Sequence, residues 1–382
     1  MANLTALRDH NTAAVLGRIR AADEISRVEL ALATGLTAQA ISKIVQRLAA
    51  EGLIAPSGRV PSAGGKPRTL LRLVPQARWV VGAQLDRHGS TLVLVDLAGR
   101  IADATTTRFD PSQATPQQTL EMLAAQVEAL IAMLPRERVL GVGVACPGPL
   151  DQQTGVLHQV TGLPGWDGMP LRAELAARLG LPVFLDKDTT AGVLSRPGAA
   201  DRAFVYLGDG LGAGLVLGGR VQRGARTNAG EFGHQVLDLR GPRCACGNDG
   251  CLEALCRAAL ADGDSGRAAD LLGEGIANLV RLLDLAQVVL GGDAVLADPE
   301  LFRGRVAAVV RERLPDPGWQ QVDITVTEAG RHVVALGAAG LVLGTLFGES
   351  DGDGPDAAGL GAQAAPGRDR LPGAATTGRV VP

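Results

Sequence analysis

One histidine and three cysteines fall within eighteen residues: His234, Cys244, Cys246 and Cys251. They lie in GEFGH (residues 230–234), followed by nine residues and then CACGNDGCLE (244–253). Tetrahedral zinc takes four thiolate or imidazole ligands converging on one point, and three cysteines with one histidine are a standard structural set. Gly247 and Gly250 let the backbone reverse tightly, so that three thiolates of one short loop can face the same ion. The expected cofactor is therefore a structural Zn²⁺ held by His234, Cys244, Cys246 and Cys251. Glu231 stands three residues before the histidine and Glu253 two after the last cysteine, so a closed metal site would also fix two carboxylates. The competing reading, buried or disulfide-bonded cysteines beside an incidental histidine, has to treat this spacing as chance.

The remaining cysteines, Cys146 and Cys256, stand apart. An odd count without a paired framework argues against a secreted, disulfide-built protein. The first residues, MANLTALRDHN, lack the apolar core of a signal peptide. The longest apolar stretch, Val333 to Phe347, falls short of the ~18–20 residues that cross a bilayer and suits a buried helix of small residues. The expectation is a soluble, cytoplasmic protein with no membrane partner.

Charge divides the chain. Residues 1–78 carry +6, which leaves −9 for the rest of a chain whose net charge is −3. A basic head on an acidic body is the footprint of a DNA-binding domain joined to something else. Within the head, Ser26 to Glu29 reads S-R-V-E, a capping box that opens a short helix running through Ala31. Thr34-Gly35 makes a turn, and Thr37 caps a second helix. Ala40, Ile41, Ile44, Val45 and Leu48 recur on its core face at helical spacing. Thr37, Gln39, Ser42, Lys43, Gln46 and Arg47 are left to meet bases and phosphates. The pattern is a helix-turn-helix with residues 37–49 as recognition helix. A Gly- and Pro-rich loop follows, bearing Arg59, Lys66 and Arg68, and then an apolar strand from Thr69 to Val74. A basic hairpin of this kind is the wing of a winged helix, suited to phosphate or minor-groove contact. The alternative is a small helical domain with a solvated basic face.

From Trp79 onward, strand-like runs alternate with helical ones. VVGAQLD and STLVLVDLAGRI form a strand pair about Arg87-His88-Gly89, and Gln117 to Leu134 has helical period. Further strands are expected at VLGVGVACPG, LPVFLDKD and both sides of the turn in AFVYLGDGLGAGLVLGG, with AQVVLGGDA as the last. Such units imply an α/β architecture with sites at strand ends. Residues 349–382 are rich in Gly, Pro, Ala and Asp and read as a disordered tail.

On these motifs, residues 79–348 resemble the ROK family (repressors, open reading frames and sugar kinases), and residues 1–78 resemble the winged helix of its repressor branch. The resemblance implies an N-terminal α+β winged helix-turn-helix followed by a two-lobed α/β domain of actin-like, hexokinase-like fold. It also implies effector contacts. Glu231 and His234 match the family's sugar-binding GE-x-GH positions, Glu253 follows the third zinc cysteine, and Asp188 sits where the family's kinases hold their base. A carboxylate accepts a hydrogen bond from a sugar hydroxyl and can take its proton. TGLPGW (161–166) matches a sugar-contacting loop, with Gly162 in place of the usual Asn.

The departures concern phosphate. The family's first Gly-Gly-Thr turn is Asp86-Arg87-His88 here, and Gln84 replaces the metal-organising Asp. The second turn reads GDGLGAG, so Asp209 would set a carboxylate against a polyphosphate. Phosphate cradles need approachable backbone amides, and like charges repel by several kcal/mol (order of magnitude) in a partly dry site. ATP binding, and catalysis with it, is expected to be lost unless Mg²⁺ bridges Asp209 to the phosphates. Lys187 and Arg196 replace a family Asn and Glu. Lys187 either neutralises Asp188 or, with Arg196, draws an anionic effector.

The expectation is a transcriptional regulator of carbohydrate genes, a repressor. Its partners would be double-stranded operator DNA and a sugar effector, and it would work as a homodimer or dimer of dimers. A zinc-containing ATP-dependent sugar kinase with a DNA-binding head competes with it, as does a repressor controlled by a protein partner.

Overall fold

The chain opens on helix α1 (His10–Ala22), a short strand β1 (Ile25–Ser26) and helix α2 (Arg27–Thr34). A computed structural model describes residues 10–62, 65–110, 113–158, 160, 165–196, 198, 200–314 and 319–348. The expected tail at 349–382, most of the loop at 161–166 including Gly162, and the Lys66 side chain lie outside the described residues.

The capping box forms as the sequence predicts. Ser26 N donates to Glu29 Oε2 at 2.8 Å and Glu29 N to Ser26 Oγ at 3.4 Å. Helix α2 runs past Ala31 to Thr34, whose hydroxyl donates to Leu30 O at 2.7 Å, and stops at Gly35 with φ 70°. Helix α3 (Ala38–Ala50) starts under Thr37, whose hydroxyl accepts Ala40 N at 3.2 Å. Ile41, Ile44, Val45 and Leu48 are buried, and Ala40 is half-buried.

Strands β2 (Ile54–Ser62) and β3 (Gly65–Leu73) pair antiparallel, with irregularities between Pro56 and Gly58 and between Val60 and Ser62. The stretch expected as loop is therefore itself strand. Its prolines lack N–H donors and are tolerated at such irregularities and on an edge. Helix α1, which the sequence reading did not find, buries Val15, Leu16 and Ile19 beneath the other two.

The body follows in chain order. Its first lobe has strands β4 (Trp79–Asp86), β5 (Gly89–Asp96) and β6 (Ile101–Arg108), then helix α4 (Pro116–Ile131) and strand β7 (Val139–Cys146). The hairpin β8 (Leu150–Asp151) and β9 (Val156–Leu157), helix α5 (Leu171–Leu179), strand β10 (Val183–Lys187) and helix α6 (Asp188–Leu194) come next. The second lobe has β11 (Arg202–Leu207), β12 (Leu211–Leu217), β13 (Arg220–Val221), α7 (Leu252–Ala261) and α8 (Ser265–Leu283). It ends with β14 (Gln287–Gly291), α9 (Asp293–Ala297), α10 (Pro299–Arg313) and β15 (Asp323–Val326). Helix α11 (Val333–Phe347) then returns to the first lobe.

The two sheets are built alike. The first has order β6-β5-β4-β7-β10 and the second β13-β12-β11-β14-β15, each with two antiparallel pairings followed by two parallel ones. Three strands of these sheets, β6, β13 and β15, escaped the sequence reading. β6 is an edge strand of Ala and Thr without a strong apolar face, and β15, only four residues long, follows the strand expected to be last.

Helix α11 ties these parts together. With the turn before it, Gly330–Phe347 spans 18 residues at mean hydropathy 1.4, long and apolar enough by count to cross a membrane, but 67% of it is buried inside the fold. The expectation that this stretch is too short is thus corrected, while its reading as a buried helix stands. Small residues let it approach closely: a Cβ on Gly143 would lie 1.8 Å from Ala338 O, and one on Gly337 would lie 1.7 Å from Ala191 O in α6. Its far end meets the head, where the Arg20 guanidinium lies 4.5 Å from the centre of the Phe347 ring. One continuous core joins Leu16, Ile41 and Leu48 of the head to Val80 and Val93 of the first sheet and Leu343 of α11. Packing crosses the 78/79 boundary without a gap.

Candidate effector pocket, metal site and DNA-facing helix

The GEFGH segment is fixed by backbone contact. Gly230 adopts φ 85°, and a Cβ there would lie 1.8 Å from Ala213 O of β12. A short 3-10 turn, Phe232–His234, then directs the histidine at the cysteine loop. The loop reverses at Gly247 and Gly250, both at positive φ as the sequence predicts. The donor atoms of His234, Cys244, Cys246 and Cys251 all lie within 4.8 Å of one another. Cys246 Sγ is 3.6 Å from Cys251 Sγ, and Cys244 Sγ is 3.7 Å from His234 Nδ1. Zn–S bonds of about 2.3 Å in a tetrahedron place sulfurs ~3.8 Å apart, so the donor set fits zinc. Burial and the neighbouring Cys246 and Cys244 push the Cys251 thiol up to about 12, the strain that a bound cation relieves when it draws thiolates together.

His234 joins this centre to the pocket. Its Nε2 faces Glu231 Oε2 at 3.9 Å while Nδ1 faces the cysteines. The other oxygen of Glu231 accepts from Lys187 Nζ at 2.5 Å, and that ammonium also donates to Ala229 O at 3.3 Å. Lys187 is buried, with 6% of its side chain exposed. The lysine therefore reaches out of the first lobe to a carboxylate of the second. Its charge also acts on Asp188, as expected from the sequence, while the ion pair it closes is with Glu231. Asp186, one residue earlier, makes a second crossing: its carboxylate accepts from Arg223 Nε at 2.7 Å and is fully buried. Arg196, the other cation expected to draw an anion, pairs with Glu328 at 3.2 Å.

Asp188 opens α6, and its carboxylate accepts the Thr189 amide at 2.7 Å. Part of its surface opens to the cleft, yet the carboxyl lies deep among protein atoms. Burial is the main cause that pushes it up to about 6, with Glu231 and Asp86 adding to the rise against Thr189 and Lys187. Glu253 lies at the start of α7, where one oxygen accepts Leu211 N at 2.9 Å. It thus pins the turn between β11 and β12.

The two turns expected to have lost their phosphate grip meet each other. His88, in the β4–β5 turn, pairs with Asp209 in the β11–β12 turn. Behind them Asp86 accepts the His88 amide at 2.8 Å and the Gln84 side-chain amide at 3.2 Å. Burial raises the Asp86 carboxyl above its usual range, and Asp209 and Asp293 add to the rise. Sequence reading foresaw the acids here but not their imidazole partner, because nothing local links positions 88 and 209.

In the head, Gln39, Ser42, Lys43, Gln46, Arg59 and Arg68 are exposed on α3 and the wing, and Thr37 is occupied as a cap. Arg47 is exposed too, but its guanidinium donates to the Thr12 hydroxyl, tying α3 to α1. A large cavity, about 1940 Å³, lies elsewhere, between the head, α11 and the segment 219–228. Asp188, Lys187, Glu231, His234 and Glu253 are not on its wall, whereas Arg196 is. Five of the arginines along its wall are already held by carboxylates or carbonyls of the protein: Arg100, Arg172, Arg196, Arg202 and Arg223.

Comparison with known proteins agrees with this division. Residues 80–267 match the ROK family and residues 8–62 the MarR family. A xylose repressor of Caldicellulosiruptor bescii is 24% identical over 401 residues, covering 91% of this chain and 98% of that protein. A ROK family transcriptional regulator described as a homologue of the E. coli MLC protein has TM-score 0.72 at 24% identity, over 89% of this chain and 98% of its own. A ROK hexokinase from Thermus thermophilus is 30% identical with TM-score 0.58, over 69% of this chain and 97% of its own.

Proposed function

We propose that this chain, which belongs to the ROK family, is a DNA-binding transcriptional repressor of carbohydrate metabolism genes that answers to a sugar or sugar derivative. One observation carries the reading: a winged helix with a polar, exposed recognition face shares its hydrophobic core with a lobe of a sugar-kinase-like body. The span of the relatives supports it. Likeness to the xylose repressor extends over head and body together, whereas the hexokinase accounts for 69% of the chain.

The pocket is formed by Asp188, Glu231, His234 and Lys187, with Glu253 behind the adjoining turn. His234, Cys244, Cys246 and Cys251 hold structural zinc, which when bound fixes the loop beneath Glu231. Asp188 belongs to the first lobe and Glu231 to the second, so a sugar held by both adds a contact across the seam that Lys187 and Asp186 already bridge. Helix α6, which begins at Asp188, packs on α11, and α11 packs on α1 of the head. Operator DNA is contacted through Gln39, Ser42, Lys43, Gln46 and Arg47 on the recognition helix, with Thr37 at its start and Arg59, Lys66 and Arg68 on the wing. Two such heads in a homodimer or dimer of dimers must meet half-sites about one helical turn (or a multiple) apart, so a small rotation between them releases DNA. The site of action is the cytoplasm.

On this reading the protein acts by binding and not by catalysis, which is supported by the contact of His88 with Asp209 across the two turns that the family resemblance assigns to phosphate. The kinase reading keeps one observation in its favour, the Asp188 carboxylate at the base position. Fluorescence anisotropy on the chain's own upstream DNA, titrated with neutral and phosphorylated sugars, tests the proposal. Salt-sensitive binding released by one sugar is expected, together with no sugar-dependent ADP formation. Turnover of ATP without specific DNA binding would replace the repressor by the kinase.

A further inference from the structure

The charges around the pocket pair off unevenly. Asp186 is matched by Arg223 at 2.7 Å and Lys187 by Glu231 at 2.5 Å, each pair formed across the lobes. Asp188 has to share a cation: its hydrogen-bond partner is the neutral Thr189 amide, and Lys187, already paired with Glu231, is the positive charge that acts on it against the carboxylates Glu231 and Asp86. Buried charges are tolerated when paired, and breaking a buried pair is far more costly than replacing it.

An entering anion would have to draw Lys187 away from Glu231 and leave that carboxylate beside Asp188 without a counter-ion. An uncharged polyol asks for less. Its hydroxyls can donate to Asp188 and to the Glu231 oxygen that faces His234 while Lys187 keeps its partner. The sequence alone left Lys187 open as an anion receptor; its distance to Glu231 decides against that.

We infer that this pocket takes an uncharged sugar and rejects the phosphate ester or acid of the same sugar, with Asp188 as the residue that rejects them and Lys187 as a fixed internal counter-ion to Glu231. The inference rests on the reading of these residues as the effector pocket.

Isothermal titration of the full chain with D-xylose and D-glucose, and with xylose 5-phosphate, glucose 6-phosphate and glucuronate, tests it. The neutral member of a set that binds is expected to bind at least tenfold tighter than its anionic counterpart. Asp188→Asn should narrow that ratio, and Lys187→Gln should widen it by leaving Glu231 and Asp188 both uncompensated. Thermal unfolding and DNA binding of each variant establish that it is folded. Tighter binding of a phosphate or uronate, lost in Lys187→Gln, overturns the inference while keeping the pocket. Absence of heat with every sugar, from protein that still binds DNA, removes the pocket reading and the selectivity with it.

Discussion

The two lobes repeat one sheet, strand for strand and direction for direction, yet they are packed to different ends. In the first, the sheet face under α11 is continuous with the core of the DNA-binding head. In the second, Val205, Leu272, Val288 and Phe302 close a core among α7, α8 and α10, with no head residue in it. The same topology thus serves once as a platform for the head and once as the carrier of the cysteine loop and Glu231. The head is therefore expected to travel with the first lobe. What a sugar can alter is the seam between lobes, where Asp186, Lys187 and His88 each reach a residue of the second.

The strongest way to break this contrast is steric. Gly143→Val would drive a side chain into Ala338 O, so a loss of more than about 4 kcal/mol is expected, with head and first lobe failing together. Gly273→Val in the second lobe meets only the Val309 side chain, at 2.8 Å, and should cost about 1–3 kcal/mol. Denaturant unfolding with DNA binding as second probe separates them: the first variant loses both signals, the second keeps the head.

Asp188 offers the next largest effect. Its carboxyl is raised to about 6, so the folded state holds a proton there that the unfolded chain releases near pH 4. The stability this proton gives is present at low pH and is lost as pH rises through 6. Asp188→Asn should therefore stabilise the protein above pH 6, by at most about 3 kcal/mol, and flatten that part of the profile. Thermal melts between pH 4 and 8 measure it. An unchanged slope would mean that the carboxyl is better solvated than its surroundings indicate.

Cys246→Ala or a strong chelator should act on the second lobe alone. Loosening the loop beneath His234 is expected to weaken sugar binding tenfold or more while operator affinity without sugar stays within about twofold. Equal loss of both would place the metal's influence in the head as well. The smallest effect belongs to His88→Ala. Both partners of its ion pair are exposed, 70% and 51%, so the pair is worth no more than about 1 kcal/mol. Its removal should leave the melting temperature nearly unchanged.

Sequence made some of these features legible and hid others for physical reasons. The capping box, the Thr37 cap and the buried stripe of α3 depend on neighbours within four residues, and each formed as read. The cluster of four donors that could hold a metal ion was legible because all four lie in one short segment. Helix α1 was missed because its apolar residues find their partners through tertiary packing, under α2 and α3 and against α11 from more than 300 positions away. The Lys187–Glu231 pair stayed hidden because its members lie 44 positions apart, whereas the effect of Lys187 on Asp188, its neighbour in the chain, is local. The His88–Asp209 contact joins turns 121 positions apart, one in each lobe.

The most direct test follows distances within the full chain as sugar is added. Fluorophores on unnatural amino acids at Leu32 in the head, Glu121 in the first lobe and Leu282 in the second, all exposed, report head-to-lobe and lobe-to-lobe separation by energy transfer. The expected result is a lobe-to-lobe change at the sugar concentration that releases operator DNA, with the head-to-first-lobe distance constant. A head that shifts against the first lobe while the lobes stay still would contradict the account.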